Sequence, residues 1–411
     1  MNLDKIITLD KADPLAKKRL EFDLPANTIY LDGNSLGALP KSVKSRVAEV
    51  VSQQWGNDLI KSWNNHHWID LPIIVGEKIA PLIGAAQGQV VCCDSISVNL
   101  FKLLCSALKL NSGRTVVLST TDNFPTDLYM VQGLTDLLGP DLCQLQMVAE
   151  QHIQQNLTES VAVLLLTQVN FRTGKLLDMA KLTQLAHDKG ILVIWDLAHS
   201  AGALPVELDK CKADFAVGCG YKYLNGGPGS PAFLYVAKRH QEAIKQPLCG
   251  WMGHAKPFAF DAKYEPSPNI NQFQCGTPSV ISMSALDAAL DVWQDVDILQ
   301  IRNKSEALAN VFIELIKKNQ CLHELILCSP NDAQQRGSQL AFAHDDAFAI
   351  CQALIEKGVI ADFRAPNILR FGFTPLYTSF EDIWLAVTIL VNIVQSEQYK
   401  ELRFNITLKV T

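Results

Sequence analysis

The sequence predicts an α/β fold: a large domain with a mostly parallel sheet sandwiched by helices, plus a smaller α+β domain. Three runs, TVVLST (115–120), VAVLLLT (161–167) and ILVIWD (191–196), are β-branched and apolar without interruption, as strands buried on both faces of a parallel sheet must be. Between the last two lies DMAKLTQLAHDKG. There Met179, Leu182, Leu185 and Ala186 share one helical face and Gly190 reads as the C-cap, so the stretch is a βαβ unit. A chain of 411 residues exceeds what one hydrophobic core usually organises, which is the reason for expecting two domains.

The remaining elements follow in order. ADFAVGCG (213–220) and PAFLYVA (231–237) read as two further strands of the large sheet. Helical periodicity runs from about Ser282 to Lys318 and again from Phe380 to Glu397, while SQLAFAH (338–344) and ILRFGF (368–373) read as strands of the smaller unit. The predicted division is a large domain over 60–285, with 1–59 and 286–411 forming the small one. WGNDLIKSWNNHHWID (55–70) is rich in Trp and His, and reads either as a border of the substrate site or as a buried helix face.

With 36 basic residues against 42 acidic ones, a formal charge of −6 and no long run of either sign, the chain lacks the charge pattern of a nucleic-acid binder. The N-terminal MNLDKIITLDKADPLAKKRL alternates charged and apolar residues, unlike a secretory signal, and no later apolar run reaches the length of a membrane span. Eleven cysteines are scattered without metal-finger spacing, and the one close pair, Cys92 and Cys93, is adjacent. The expectation is a cytoplasmic protein with reduced thiols, no metal, and neither nucleic acid nor membrane as partner.

In open α/β sheets ligands bind outside the carboxyl ends of the strands. Those positions hold Thr167 after VAVLLL, Asp196 and His199 after ILVIW, and Lys222 after ADFAVGCGY. A strand-end carboxylate and a lysine on a later strand end suit pyridoxal 5'-phosphate, whose aldehyde needs an amine and whose ring nitrogen needs an anionic partner. The Asn225–Gly229 stretch after Lys222 would let backbone approach such a cofactor closely. A phosphate site is available in CCDSISVNLFKLLCSAL, where Asp94 or Ser95 caps an amphipathic helix and Ser97 adds a hydroxyl. TDNFPTD (121–127) offers Phe124 as a stacking surface and Asp127 as a second carboxylate; alone it reads as a loop with a turn at Pro125. Singly, each feature has an ordinary explanation: Asp196 and His199 as a metal pair or as a cap and a core histidine, Lys222 as a surface lysine. Their common position at strand ends favours the cofactor.

YLDGNSLGALP, SISVNLF, NFPTD, RTGKLLDM, DLAHSAGALPVELD, YKYLNGGPGSPAFLYV, GWMGH and PLYTSF, spread over nearly the whole chain, resemble the kynureninase family of fold-type-I pyridoxal-phosphate enzymes. The resemblance implies that Lys222 forms the Schiff base and that Asp196 partners the pyridine nitrogen. It implies that Phe124 stacks on the ring, with Pro125, Thr126, Asp127, Thr167 and His199 around it. Ile96, Ser97, Tyr221, Trp251 and Thr277 complete the pocket, the last two reaching across the interface of a homodimer whose active site is shared. Arg370 matches the arginine that binds the substrate α-carboxylate, and Tyr221 is a proton donor or relay. Cysteine desulfurases and selenocysteine lyases share the framework but typically have His before the lysine, where this chain has Tyr221.

The reaction so implied is hydrolysis of L-kynurenine to anthranilate and L-alanine, in tryptophan catabolism by the kynurenine pathway and towards NAD biosynthesis. Gly276 and Thr277 replace the Ser-Asn typical of family members that prefer 3-hydroxykynurenine, which points to the kynurenine-selective type. A metal hydrolase using Asp196 and His199 would lack a third ligand at short spacing, and a nucleotide-binding module would lack a GxGxxG after the first strand of the large domain.

Overall fold

The computed structural model describes residues 2–406. Seven strands form the large sheet, in spatial order Val90–Cys92, Ala232–Val236, Phe215–Cys219, Leu192–Asp196, Val161–Thr167, Val116–Thr120 and Gln144–Val148. Only Ala232–Val236 runs against its neighbours. Side chains alternate between two cores, as the two-residue period of a strand requires. Leu164 and Leu166 join Trp195 and Val193 on one face, while Val163 and Leu165 join Ile194 and Val217 on the other. Residues 161–167 are buried throughout, which is why they are apolar without alternation. The edge strand Gln144–Val148 is partly exposed and carries the glutamines. The other edge, Val90–Cys92, is sealed by helix Leu71–Ile79, whose Gly76 lies so close that a Cβ there would fall 2.5 Å from the Val90 carbonyl oxygen.

A second, antiparallel sheet has the order Asp362–Arg364, Ile368–Gly372, Gln339–Ala343, Ile326–Leu327. Leu340, Phe342, Leu369 and Phe371 point into a separate core with helices Ile298–Lys318, Ala347–Glu356 and Phe380–Gln395. By the same alternation Arg370 projects from the opposite face. The N-terminal segment serves both cores: Leu15, Phe22 and Ala38 pack with the large sheet, and Ile6, Ile29 and Leu31 with the small one.

The helix expected over 282–318 is two helices, Val280–Ala289 and Ile298–Lys318. Asp295 takes a left-handed φ of 59°, and the Asp297 carboxylate accepts from the Leu299 N–H, so the second helix begins afresh at its own cap. Pro125 builds no isolated turn. It opens helix Pro125–Leu138, where its missing N–H costs nothing. Gly190 lies beyond helix Met179–His187, whose C-cap is Asp188, and its φ of 68° lets the Ile191 N–H return to the Ala186 carbonyl. Ser95, and not Asp94, caps helix Ile96–Leu110. The Trp- and His-rich segment is neither a continuous buried face nor part of the strand-end cavity. Trp68 is buried and donates to Gln54 Oε1 at 2.8 Å, while Trp55 is exposed.

Candidate active site

Register sets the site. Thr167 pairs with Asp196, and Asp196 with Val217, so three parallel strands end side by side. Beyond them lies a cavity of about 250 Å³. It is lined by Ile96 and Ser97 from one helix N-terminus, by Phe124, Thr126 and Asp127 from another, and by Thr167, Asp196, His199, Tyr221 and Lys222 from the strand ends. Pro125 sits between two lining residues without facing the cavity itself. Phe171, Cys219 and Ser230 also line it and are absent from the sequence-derived set. Phe171 follows the end of strand Val161–Thr167, so the strand-end rule applied a few residues further would have found it. It meets Phe124 edge to face at 5.2 Å.

Lys222 Nζ lies 2.9 Å from His199 Nε2. Burial depresses the lysine's pKa, and the positive charges of Arg370 and Arg364 act in the same direction against Asp196 and Cys219. Burial, helped by Lys222, likewise holds His199 well below the usual imidazole range. The two groups therefore share a site that disfavours positive charge on either of them. Asp196 and Asp127 face each other, and burial raises the pKa of both, with Asp196's charge adding to the rise at Asp127. Asp196 Oδ1 accepts from the Ala198 N–H at 2.8 Å, whereas Asp127 Oδ1 is buried with no donor. Thr167 Oγ1 donates to Asn123, which in turn accepts the Phe124 N–H at 2.8 Å and so fixes the Phe124 backbone.

The residues fit pyridoxal phosphate. A buried acid pair with an orphaned oxygen at Asp127 suits a ring N–H, a depressed lysine suits an aldehyde, and the first-turn N–H groups of Ile96 and Ser97, with no carbonyl four residues back inside their helix, suit a phosphate. The glycines after Lys222 have a more local reason than closeness to a ligand. A Cβ on Gly226 would fall 2.4 Å from Ser230 Oγ, and Gly227 holds a φ of 84°.

Three predicted site residues lie elsewhere. Trp251 is exposed and packs edge-on against Phe258. Thr277 lines a neighbouring cavity of about 190 Å³ with Asp94 and Gly229. Arg370 is 1% exposed, and the fork expected to be open to substrate is gripped on its Nε–Nη2 side by Asp362, while Nη1 donates to the Phe171 carbonyl. The segment 31–37 ties Arg370's strand to the lysine loop: Gly372 N–H donates to Leu31 at 2.7 Å, and Gly37 N–H to the Tyr221 carbonyl at 2.8 Å. A Cβ on Gly37 would sit 2.3 Å from the Lys222 carbonyl oxygen and 2.5 Å from Asn225 Oδ1. Gly37→Ala is therefore expected to lower stability by about 1–3 kcal/mol and to reduce turnover by displacing the lysine. Denaturant midpoints with turnover rates check this; wild-type values of both would show that the contact yields freely.

Comparisons with known proteins agree with one another. A family model, the kynureninase C-terminal domain, matches residues 301–390. A kynureninase of Deinococcus radiodurans is 51% identical over 392 residues, covering 94% of this chain and 95% of the relative. One from Pseudomonas fluorescens is 45% identical over 409 residues, covering 98% of each. Among solved structures, a cysteine desulfurase from Thermococcus onnurineus NA1 superposes with a TM-score of 0.76 at 19% identity, over 92% of this chain and 98% of its own. A cysteine desulfurase from Escherichia coli has a TM-score of 0.76 at 21% identity, over 94% and 98%. These structures share the fold.

Proposed function

The chain belongs to the kynureninase family, and from that premise we propose that it is a pyridoxal-phosphate-dependent hydrolase cleaving the Cβ–Cγ bond of L-kynurenine to anthranilate and L-alanine. The observation that carries this is the convergence of Lys222, Asp196 and Asp127 on one cavity, in a chain about half identical from end to end to curated kynureninases.

When bound, the cofactor supplies an electron sink for the pair left behind at a substrate carbon. The chain's own residues supply the rest. Lys222, its pKa lowered by burial, can take the Cα proton at Nζ and return it elsewhere. Asp196, backed by Asp127, would hold a proton at the ring nitrogen from a buried position. Phe124 offers a flat surface fixed by Asn123. The Tyr221 phenol, its pKa raised by burial, stays protonated and can donate to the substrate's γ-carbonyl as water adds there. Arg370 and Arg364 supply positive charge for the α-carboxylate.

The same reading includes a homodimer with a shared site. Trp251 and Thr277 are exposed and outside their own chain's cavity. An apolar groove of about 630 Å³, lined by Leu39, Trp55, Trp68, Pro228 and Ile281, lies beside the lysine loop. A second copy laid there would explain both. The same reading keeps the two-domain division, with the boundary crossed where Leu15, Phe22, Ala38, Leu290 and Trp293 pack into the core of the large sheet. No helix among the described residues is long and apolar enough to cross a membrane. A cytoplasmic location and a place in tryptophan catabolism complete the proposal.

Release of anthranilate from L-kynurenine, followed by its fluorescence, tests the activity; no release by holoenzyme would overturn it. Arg370→Lys keeps the charge but loses the planar fork and one bond to Asp362. KM is expected to rise about tenfold or more, with the cofactor's visible band unchanged. Wild-type kcat/KM in that variant would remove Arg370 from the carboxylate site, and a lost band would give it a structural role instead.

A further inference from the structure

Beside Arg370 lies a second acid pair that the mechanism does not use. Asp362, 2% exposed, accepts from Arg370 on both oxygens, from Arg364 Nη2 at 2.8 Å and from the Ser35 hydroxyl at 2.8 Å. Asp32 faces the same Ser35 and the same carboxylate, and its Oδ1 is sealed from solvent with no hydrogen-bond partner. Ser35 has one proton to give, and Asp362 has it. A carboxylate at Asp32 would thus face another carboxylate with its Oδ1 undonated, whereas the neutral acid carries its own proton.

The other titratable groups around Asp32 do not change charge near neutrality. They are Tyr30 on its own segment, Tyr223 on the lysine loop, Tyr377 on the 374–377 turn and Cys351 on helix Ala347–Glu356, all pushed upward by burial. Lys222 and His199 also feel both arginines across the site, and burial disfavours charge on each; directly around Asp32 the charged groups are two guanidinium groups and Asp362.

We propose that Asp32 is a positioning residue for the substrate α-carboxylate: as the neutral acid it leaves the Arg364–Asp362–Arg370 cluster one uncompensated positive charge, and as the carboxylate it cancels that charge. Its pKa is raised by burial and by Asp362 to about 7, so the switch falls in the working range. The sign follows. Below that value Asp32 is neutral and the cluster attracts an anion; above it, binding the carboxylate requires taking up a proton, and affinity falls by up to about tenfold per pH unit. This rests on the reading that Arg370 holds the carboxylate.

The test is KM for L-kynurenine with wild-type holoenzyme, Asp32→Asn and Arg370→Lys between about pH 6 and about pH 9. Wild-type KM is expected to rise above pH 7, and Asp32→Asn to lose that slope. A mere packing defect would shift KM by one factor at every pH and leave the slope intact. A flat wild-type KM, or an Asp32→Asn profile parallel to wild type, overturns the proposal. If Arg370→Lys has wild-type KM throughout, the carboxylate assignment fails as well; if it raises KM while Asp32→Asn keeps the wild-type slope, Asp32 alone is wrong.

Discussion

Lys222→Ala is expected to fold, to bind pyridoxal phosphate without a borohydride-reducible bond, and to turn over L-kynurenine about 10,000-fold more slowly or worse. Folding survives because the lysine contributes little to it. Its charged form is disfavoured by burial, and its one close polar contact is His199 Nε2 at 2.9 Å. Binding survives because the first turn of helix Ile96–Leu110, the Asp196–Asp127 pair and Phe124 do not depend on Nζ. Turnover does not survive, because among the described residues no other amine lines the cavity. Lys102, which is fully buried, is committed to Asp94 and the Phe273 carbonyl. Mass spectrometry after borohydride treatment, with steady-state rates, decides the matter. An adduct on a different lysine, or near-normal rates in the variant, would remove Lys222 from its role.

What the sequence made legible were the parts of the molecule that depend on local pattern. Residues 161–167 read as a doubly buried strand because a β-branched apolar run only seven residues long, bounded by polar ones, is too short for a typical buried helix. Once the strands were placed, their carboxyl ends located Thr167, Asp196, His199 and Lys222, and the structure brings all four to one cavity. What stayed hidden depends on contacts between distant segments. Nothing near Arg370 in the chain announces that its fork is taken by Asp362 across two adjacent strands, because that pairing is set by the Asp362–Arg370 register. Nor does Gly37 declare that it must lie against the Lys222 carbonyl, 185 residues away. The break at Asp295–Asp297 was visible in principle, since aspartate tolerates left-handed backbone and caps helices, but the apolar periodicity on either side outweighed it.

The acid pair gives the second large effect. Asp196→Asn is expected to retain the fold, because the amide oxygen can still accept the Ala198 N–H that Asp196 Oδ1 accepts at 2.8 Å. What it loses is a negative charge that would partner the ring nitrogen. Two facing buried acids, both with raised pKa, cannot easily be ionised together; a cationic N–H beside them would ease that conflict, so the pair and a protonated ring would stabilise each other. With asparagine at 196 the pKa of Asp127 is expected to fall back from its raised position, because the neighbouring charge is gone, and Asp127 alone must then hold the ring proton. Asp127 is less firmly oriented for it: nothing donates to its Oδ1 to fix the carboxyl, as the Ala198 N–H does at Asp196, and its contact with Thr167 Oγ1 is long, at 3.4 Å. The loss in kcat should be about 100- to 1,000-fold, the usual consequence of removing one preorganised charge from the centre where charge develops. Cofactor affinity should change much less, since the phosphate end of the cavity is untouched. Equilibrium dialysis against the cofactor, read beside kcat, separates the two. If affinity and kcat fall by similar factors, Asp196 acts mainly as a binding group, and the assignment of the ring proton to this pair would be wrong.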